Sequence, residues 1–119
     1  MLSFSNIETV LAEKLETVLS RGVVNTRMRD FYDIYALTTA RACDIDFAIL
    51  KEAFANTGAK RGSIVLLHDL DLILQEIAES TELVGLWQSY QRKFDYAAYV
   101  EWNAVMASVE CLALNAMGS

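Results

Sequence analysis

Proline is absent from this chain of 119 residues, cysteine occurs twice and histidine once. Each scarcity removes a class of protein. With no proline, no internal repeat and no low-complexity stretch, nothing divides the chain, and residues 1–119 are expected to form one domain. Cys43 and Cys111 lie far apart and share no Cys-x-x-Cys or Cys/His spacing, so neither a zinc site nor a disulfide framework is expected, and both read as reduced thiols. His68 is tied to no serine or cysteine by a recognised catalytic pattern, which leaves it an exposed or capping role. Positive charge is short as well, since 10 Lys and Arg stand against 16 Asp and Glu for a net charge of −6. Broad attraction to nucleic acid needs many basic contacts to phosphates. Any RNA contact must therefore be local, at the bunched Arg21, Arg27 and Arg29 or at Lys60 and Arg61. No uncharged run approaches membrane-spanning length, and Met1 to Glu16 carries acids, unlike a secretory signal. The expectation is a soluble, cytoplasmic protein that does not engage a membrane.

What the chain does have is apolar residues, 54% of the total, recurring at spacings of three and four. That period is the mark of packed helices, and it predicts an all-α fold, a single bundle of about five to six helices. The first is expected from Ile7 to Ser20, capped by Ser5 or Asn6 and ended by Gly22, with Ile7, Val10, Leu11, Leu15, Val18 and Leu19 as its stripe. Thr26 can cap a second, Arg27 to Arg41, whose apolar residues leave little polar circumference and make it central. A third runs from Asp46 to Asn56 after Asp44 as cap, with Phe47, Leu50 and Phe54 inward and Gly58 as terminator. A fourth spans Ile64 to Glu79, burying Leu66, Leu70, Ile73, Leu74 and Ile77. Thr81 caps a fifth through Lys93, and Glu101 to Ala116 forms the last, with Trp102, Val105, Met106, Val109, Leu112 and Ala113 on one side.

Lys14 is the anomaly. Helical geometry puts it seven residues after Ile7 and four before Val18, in the middle of the first helix's apolar stripe. Burying an unpaired ammonium is costly, so either the stem snorkels to a bundle edge or the amine meets an acid or an anionic ligand such as a phosphate. Arg21 follows one heptad later on the same face. The second helix offers partners, because Asp30 and Asp33 sit at i and i+3 and share a face. A plainer pairing is also open: Arg27 with Asp30 and Arg29 with Asp33, at spacings that support exposed helices slightly.

Other patterns carry less. Gly62-Ser63 followed by Asp69-Leu70-Asp71 is similar to the Gly-Ser and Asp-x-Asp arrangement with which polymerase-type nucleotidyltransferases hold a metal-bound triphosphate. Too few residues separate the two parts for an intervening helix, and helical period would turn Asp69 and Asp71 to nearly opposite sides. The aromatic residues Trp87, Tyr90, Phe94, Tyr96, Tyr99 and Trp102 suit packing better than base stacking, having only Arg92 and Lys93 as basic neighbours. A cofactor-holding four-helix bundle would need ligand pairs such as Glu-x-x-His that are missing.

The run from Glu8 to Gly22 (ETVLAEKLETVLSRG), followed by Asn25 to Tyr35 (NTRMRDFYDIY), closely resembles a hallmark of the AbiEii/AbiGii family of nucleotidyltransferase toxins, bacterial toxin–antitoxin and phage-defence (abortive infection) proteins. The resemblance continues through Ala53 to Thr57, Lys60 to Ser63 and Leu86 to Tyr90, and so covers nearly the whole chain. It implies a two-part enzyme. An upstream α/β nucleotidyltransferase domain carries Gly-Ser and Asp-x-Asp, and the carboxy-terminal helical part completes the active cleft. Only the second part is expected here. The lysine matched by Lys14 is implied to contact nucleotide phosphates, and the aspartate matched by Asp30 to act as catalytic acid or base. Asp33 stands beside Asp30 as a second candidate carboxylate, and Arg21, Arg27 and Arg29 as further phosphate contacts. The resemblance implies Mg²⁺ and a nucleoside triphosphate in the complete enzyme, but no metal or cofactor held by this chain alone. Without metal-binding carboxylates the chain by itself is expected to be inactive. The implied partners are the upstream domain, an antitoxin and an RNA or protein acceptor. Apolar helix faces left uncovered would also suit a homodimer, or a non-catalytic interaction module that binds an antitoxin or a second copy.

Overall fold

The computed structural model describes residues 6–62 and 68–117, and every regular element among them is helical. The elements are α1 (Ile7–Arg21), α2 (Met28–Ala40), α3 (Phe47–Arg61), α4 (Leu70–Glu79), α5 (Thr81–Lys93) and α6 (Trp102–Met117), with short 3-10 turns at Gly22–Val24, Ala42–Asp44 and Asp95–Ala97. The all-α expectation holds, and no helix among the described residues is long and apolar enough to cross a membrane.

Four helices make the centre. α1 packs on α3 and α2, and α6 closes the ring by packing on the same two. Leu11, Leu15 and Val18 from α1, Phe31 and Ile34 from α2, Leu50 from α3, and Val105 and Val109 from α6 are fully buried where they meet. α4 leans on the Gly22–Val24 turn, and α5 on α2. The indole of Trp102 fixes the entry of α6 by donating to the Ala78 carbonyl at 3.1 Å. That of Trp87 donates to the Val100 carbonyl at 2.9 Å, so both buried indoles satisfy their N–H. The apolar stripe expected of the last helix is buried in full.

α1 is buried over a wider arc than its apolar stripe. Glu8, Ala12 and Glu16 are buried too, because α3 lies along that side. Glu8 accepts the Asp46 backbone N–H at 2.7 Å, and Glu16 meets Arg61 at 2.6 Å.

Several boundaries differ from expectation. α2 begins at Met28 with no side-chain cap; Asn25, not Thr26, supports the entry, its Oδ1 accepting the Arg27 N–H at 3.1 Å. Asp46 caps α3 by accepting from Ala48 and Ile49, whereas Asp44 sits in a 3-10 turn bound to Arg41. α3 does not stop at Gly58, which is buried inside the helix; it runs on to Arg61 and closes at Gly62 (φ 73°), the left-handed conformation glycine adopts most cheaply. Phe47, expected inward, is 44% exposed. It stands one turn before Leu50 at the helix entry, beyond the reach of the core. Ser80, one residue before Thr81, caps α5 by accepting the Leu83 N–H at 3.1 Å. α4 begins at Leu70; the expected start at Ile64, the burial of Leu66 and the position of Ser63 lie outside the described residues.

Candidate functional site

α2 crosses α1 so that its aspartate face meets the lysine. Asp30 and Asp33 are one helical turn apart, and both carboxylates reach Lys14: its Nζ lies 2.9 Å from Asp33 Oδ2 and 3.5 Å from Asp30 Oδ1. The amine therefore does not snorkel freely. Its stem is carried in the apolar stripe and its charge is held by acids, leaving the side chain 25% exposed. The alternative pairings coexist with this one. Arg29 Nε stands 3.4 Å from Asp33 Oδ1, and Arg27 Nε 3.9 Å from Asp30 Oδ2.

The two aspartates are not equivalent. Asp33 is 20% exposed and engaged through both oxygens, by Lys14 and Arg29. Asp30 is only 7% exposed, and its Oδ2 accepts no hydrogen bond. A buried carboxylate oxygen with no donor is uncommon. Lys14 and Asp30 face an open cavity of about 250 Å³, lined also by Val10, Glu13, Thr17 and Arg27.

The remaining candidates divide. Arg27 joins the Lys14–Asp30 crevice, while Arg29 lies beyond Asp33 toward the hydroxyls of Tyr90 and Tyr96. The Asp33 carboxylate, by its charge and then its hydrogen bond, raises the Arg29 guanidinium above its ordinary value. Burial, followed by a 2.6 Å hydrogen bond with Tyr96, pushes the Tyr90 phenol up. Arg21 does not reach Lys14; it lines a neighbouring cavity with Glu16, Thr17, Ser20, Arg27 and Arg61. The sequence offers Arg61, with Lys60, as a local RNA contact but not as a partner of Glu16. Its approach to Glu16 spans 45 residues, a contact that no helical period expresses.

The aromatic residues are largely packing, as their spacing suggested, but Tyr96 is 47% and Tyr99 95% exposed. Asp69, Asp71 and His68 are exposed at the start of α4. No group of three potential ligands that could hold a metal is found among the described residues. Asp30 and Asp33 do not fit Mg²⁺, since their inward oxygens already face an ammonium.

The described fold is thus a helical bundle that sets Lys14 and Asp30 together on the wall of an open crevice. The family model of the nucleotidyl transferase AbiEii toxin, Type IV TA system, matches residues 2–110. The chain belongs to that family. No curated protein and no solved structure matches it.

Proposed function

We propose that this helical unit completes the cleft of a nucleotidyltransferase toxin, supplying Lys14 and Asp30 to a centre whose metal-binding carboxylates come from a separate nucleotidyltransferase domain. The observation that carries the reading is the Asp30 carboxylate, whose Oδ1 pairs with Lys14 and whose buried Oδ2 is unbonded, on a residue that lines the crevice with Lys14. In transfer, an acceptor hydroxyl oxygen forms a bond to the α-phosphorus, the bond to the pyrophosphate breaks, and the hydroxyl proton passes to the Asp30 carboxylate. Lys14 offsets the charge on the phosphate oxygens, with Arg27 next to it on the crevice wall; Arg29 acts at one remove by sharing Asp33. The complete enzyme takes Mg²⁺ and a nucleoside triphosphate, and the acceptor is RNA. Replacing Asp30 by Asn keeps the volume and removes the base. In the two-part enzyme D30N is expected to lower transfer of labelled nucleotide to RNA by about 100-fold or more; near-normal transfer would dismiss the assignment.

A second reading has its own support. An apolar cavity of about 280 Å³ between the end of α2, the start of α3 and α6 is lined by Ile45, Phe47, Cys111 and Leu112 among others. That surface suits an antitoxin or a second copy of the chain. Light scattering of the chain with and without F47E tests self-association; a monomer at high concentration in the unaltered chain excludes the homodimer.

A further inference from the structure

The cavity lined by Arg21, Arg27 and Arg61 is the least expected feature of so acidic a chain. It measures about 490 Å³, and the only carboxylate among its lining residues is Glu16, which is 4% exposed and already bonded at 2.6 Å to Arg61 Nη1. That bond makes Arg61 an anchored cation. One of its nitrogens is fixed by Glu16 and by the Thr17 hydroxyl at 3.1 Å, while the side chain stays 42% exposed on the cavity wall. Arg21 forms no ion pair among the described residues, and Arg27 has only the 3.9 Å approach to Asp30. Planar guanidinium groups with free N–H donors match the oxygens of a phosphate.

Position supplies the second half of the argument. Thr17 and Arg27 line both this cavity and the Lys14–Asp30 crevice, so the two share a wall. We infer that the Arg21–Arg27–Arg61 cavity is a second oxyanion site, which holds a backbone phosphate of single-stranded RNA beside the Lys14–Asp30 centre and separate from it. Glu16 is a positioning residue here, since it fixes Arg61 and touches no ligand. The inference rests on the proposed transfer reaction only in bringing the strand's terminal hydroxyl to Asp30; the phosphate site does not depend on it.

The test is fluorescence anisotropy of labelled hexauridylate with this chain at several salt concentrations, with inorganic tripolyphosphate as competitor. R61A alone would strand the buried Glu16 carboxylate, so the pair E16Q/R61Q is used with R21A, and circular dichroism checks folding. Each of these is expected to weaken hexauridylate binding about tenfold and to flatten the salt dependence by about 0.7 in slope per arginine removed. K14A should weaken it less than either of them, and the control K51A, on the exposed side of α3, should leave it unchanged. No measurable binding, or binding insensitive to R21A and E16Q/R61Q, overturns the inference. So does a K14A loss equal to theirs with full displacement by tripolyphosphate, which would make the cavity the seat of a nucleotide's phosphate tail. Failure of D30N to impair transfer, with hexauridylate binding still arginine-dependent, would refute the transfer reading and leave this site standing.

Discussion

Lys14 has a structural role that is separate from the chemistry proposed for it. Its ammonium joins α1 to α2 through two carboxylates that are 7% and 20% exposed, a setting between a surface ion pair and a buried one. Removing the amine leaves both acids adjacent with only peripheral arginines for compensation. K14A is therefore expected to destabilise the chain by about 1–3 kcal/mol, above the usual surface pair and below a fully buried one. Urea unfolding measures this, and a loss under about 0.5 kcal/mol would mean that water already does the work of the lysine. D30N is different, because Lys14 keeps Asp33 at 2.9 Å; stability should change by less than about 1 kcal/mol. The position of Lys14 was legible in the sequence, since helical phase sets it in an apolar stripe where only a partner justifies a charge. Arg61 was not legible, because its significance comes from Glu16 on another helix.

At the scale of elements, periodicity located the helices and left their ends ambiguous for a definite reason. Where two capping side chains stand close together, as Asp44 and Asp46 or Ser80 and Thr81 do, either can in principle accept the exposed N–H groups. Tertiary contacts choose between them: the Glu8 carboxylate holds the Asp46 N–H and so fixes where α3 starts. At the other end of α3 two glycines stand four residues apart, and the helix passes the first, Gly58, to close at Gly62. The chain continues past Gly58 through Ala59, Lys60 and Arg61, all good helix formers, and the Arg61–Glu16 pair holds that last turn against α1. Gly62 then takes φ 73° with nothing among the described residues within 4 Å of where a Cβ would stand. G62A therefore meets backbone strain without a steric clash, and a loss of about 1–2 kcal/mol is expected in thermal unfolding. An unchanged melting temperature would show that α3 can end elsewhere at no cost. The cap of α5 is a simpler case, and S80A should cost about 1 kcal/mol by releasing the Leu83 N–H.

For the whole molecule, the fold class followed from a helical period sustained along a chain with no proline, while the arrangement of the helices did not. A stripe says which side of a helix is buried but not against which neighbour, and so the packing of α1 on α3, which buries Glu8 and Glu16, could not be read from α1. The same limit applies to function. The described residues supply cations and one unsatisfied carboxylate, but no cluster that could hold a metal. Phosphoryl transfer is accelerated almost entirely by positioning and by neutralising charge on the transferred group, work that bound metal ions share with Lys and Arg. The phosphate contacts proposed for Lys14 and the arginines leave the pyrophosphate with no metal among the described residues to activate it. The chain alone, given labelled nucleoside triphosphate, Mg²⁺ and bulk RNA, is expected to show no transfer above background. Adding a nucleotidyltransferase domain of the same family in trans should restore transfer, with Lys14 and Asp30 both required. Metal-dependent turnover by the isolated chain would contradict this, and would place a complete catalytic centre within these helices.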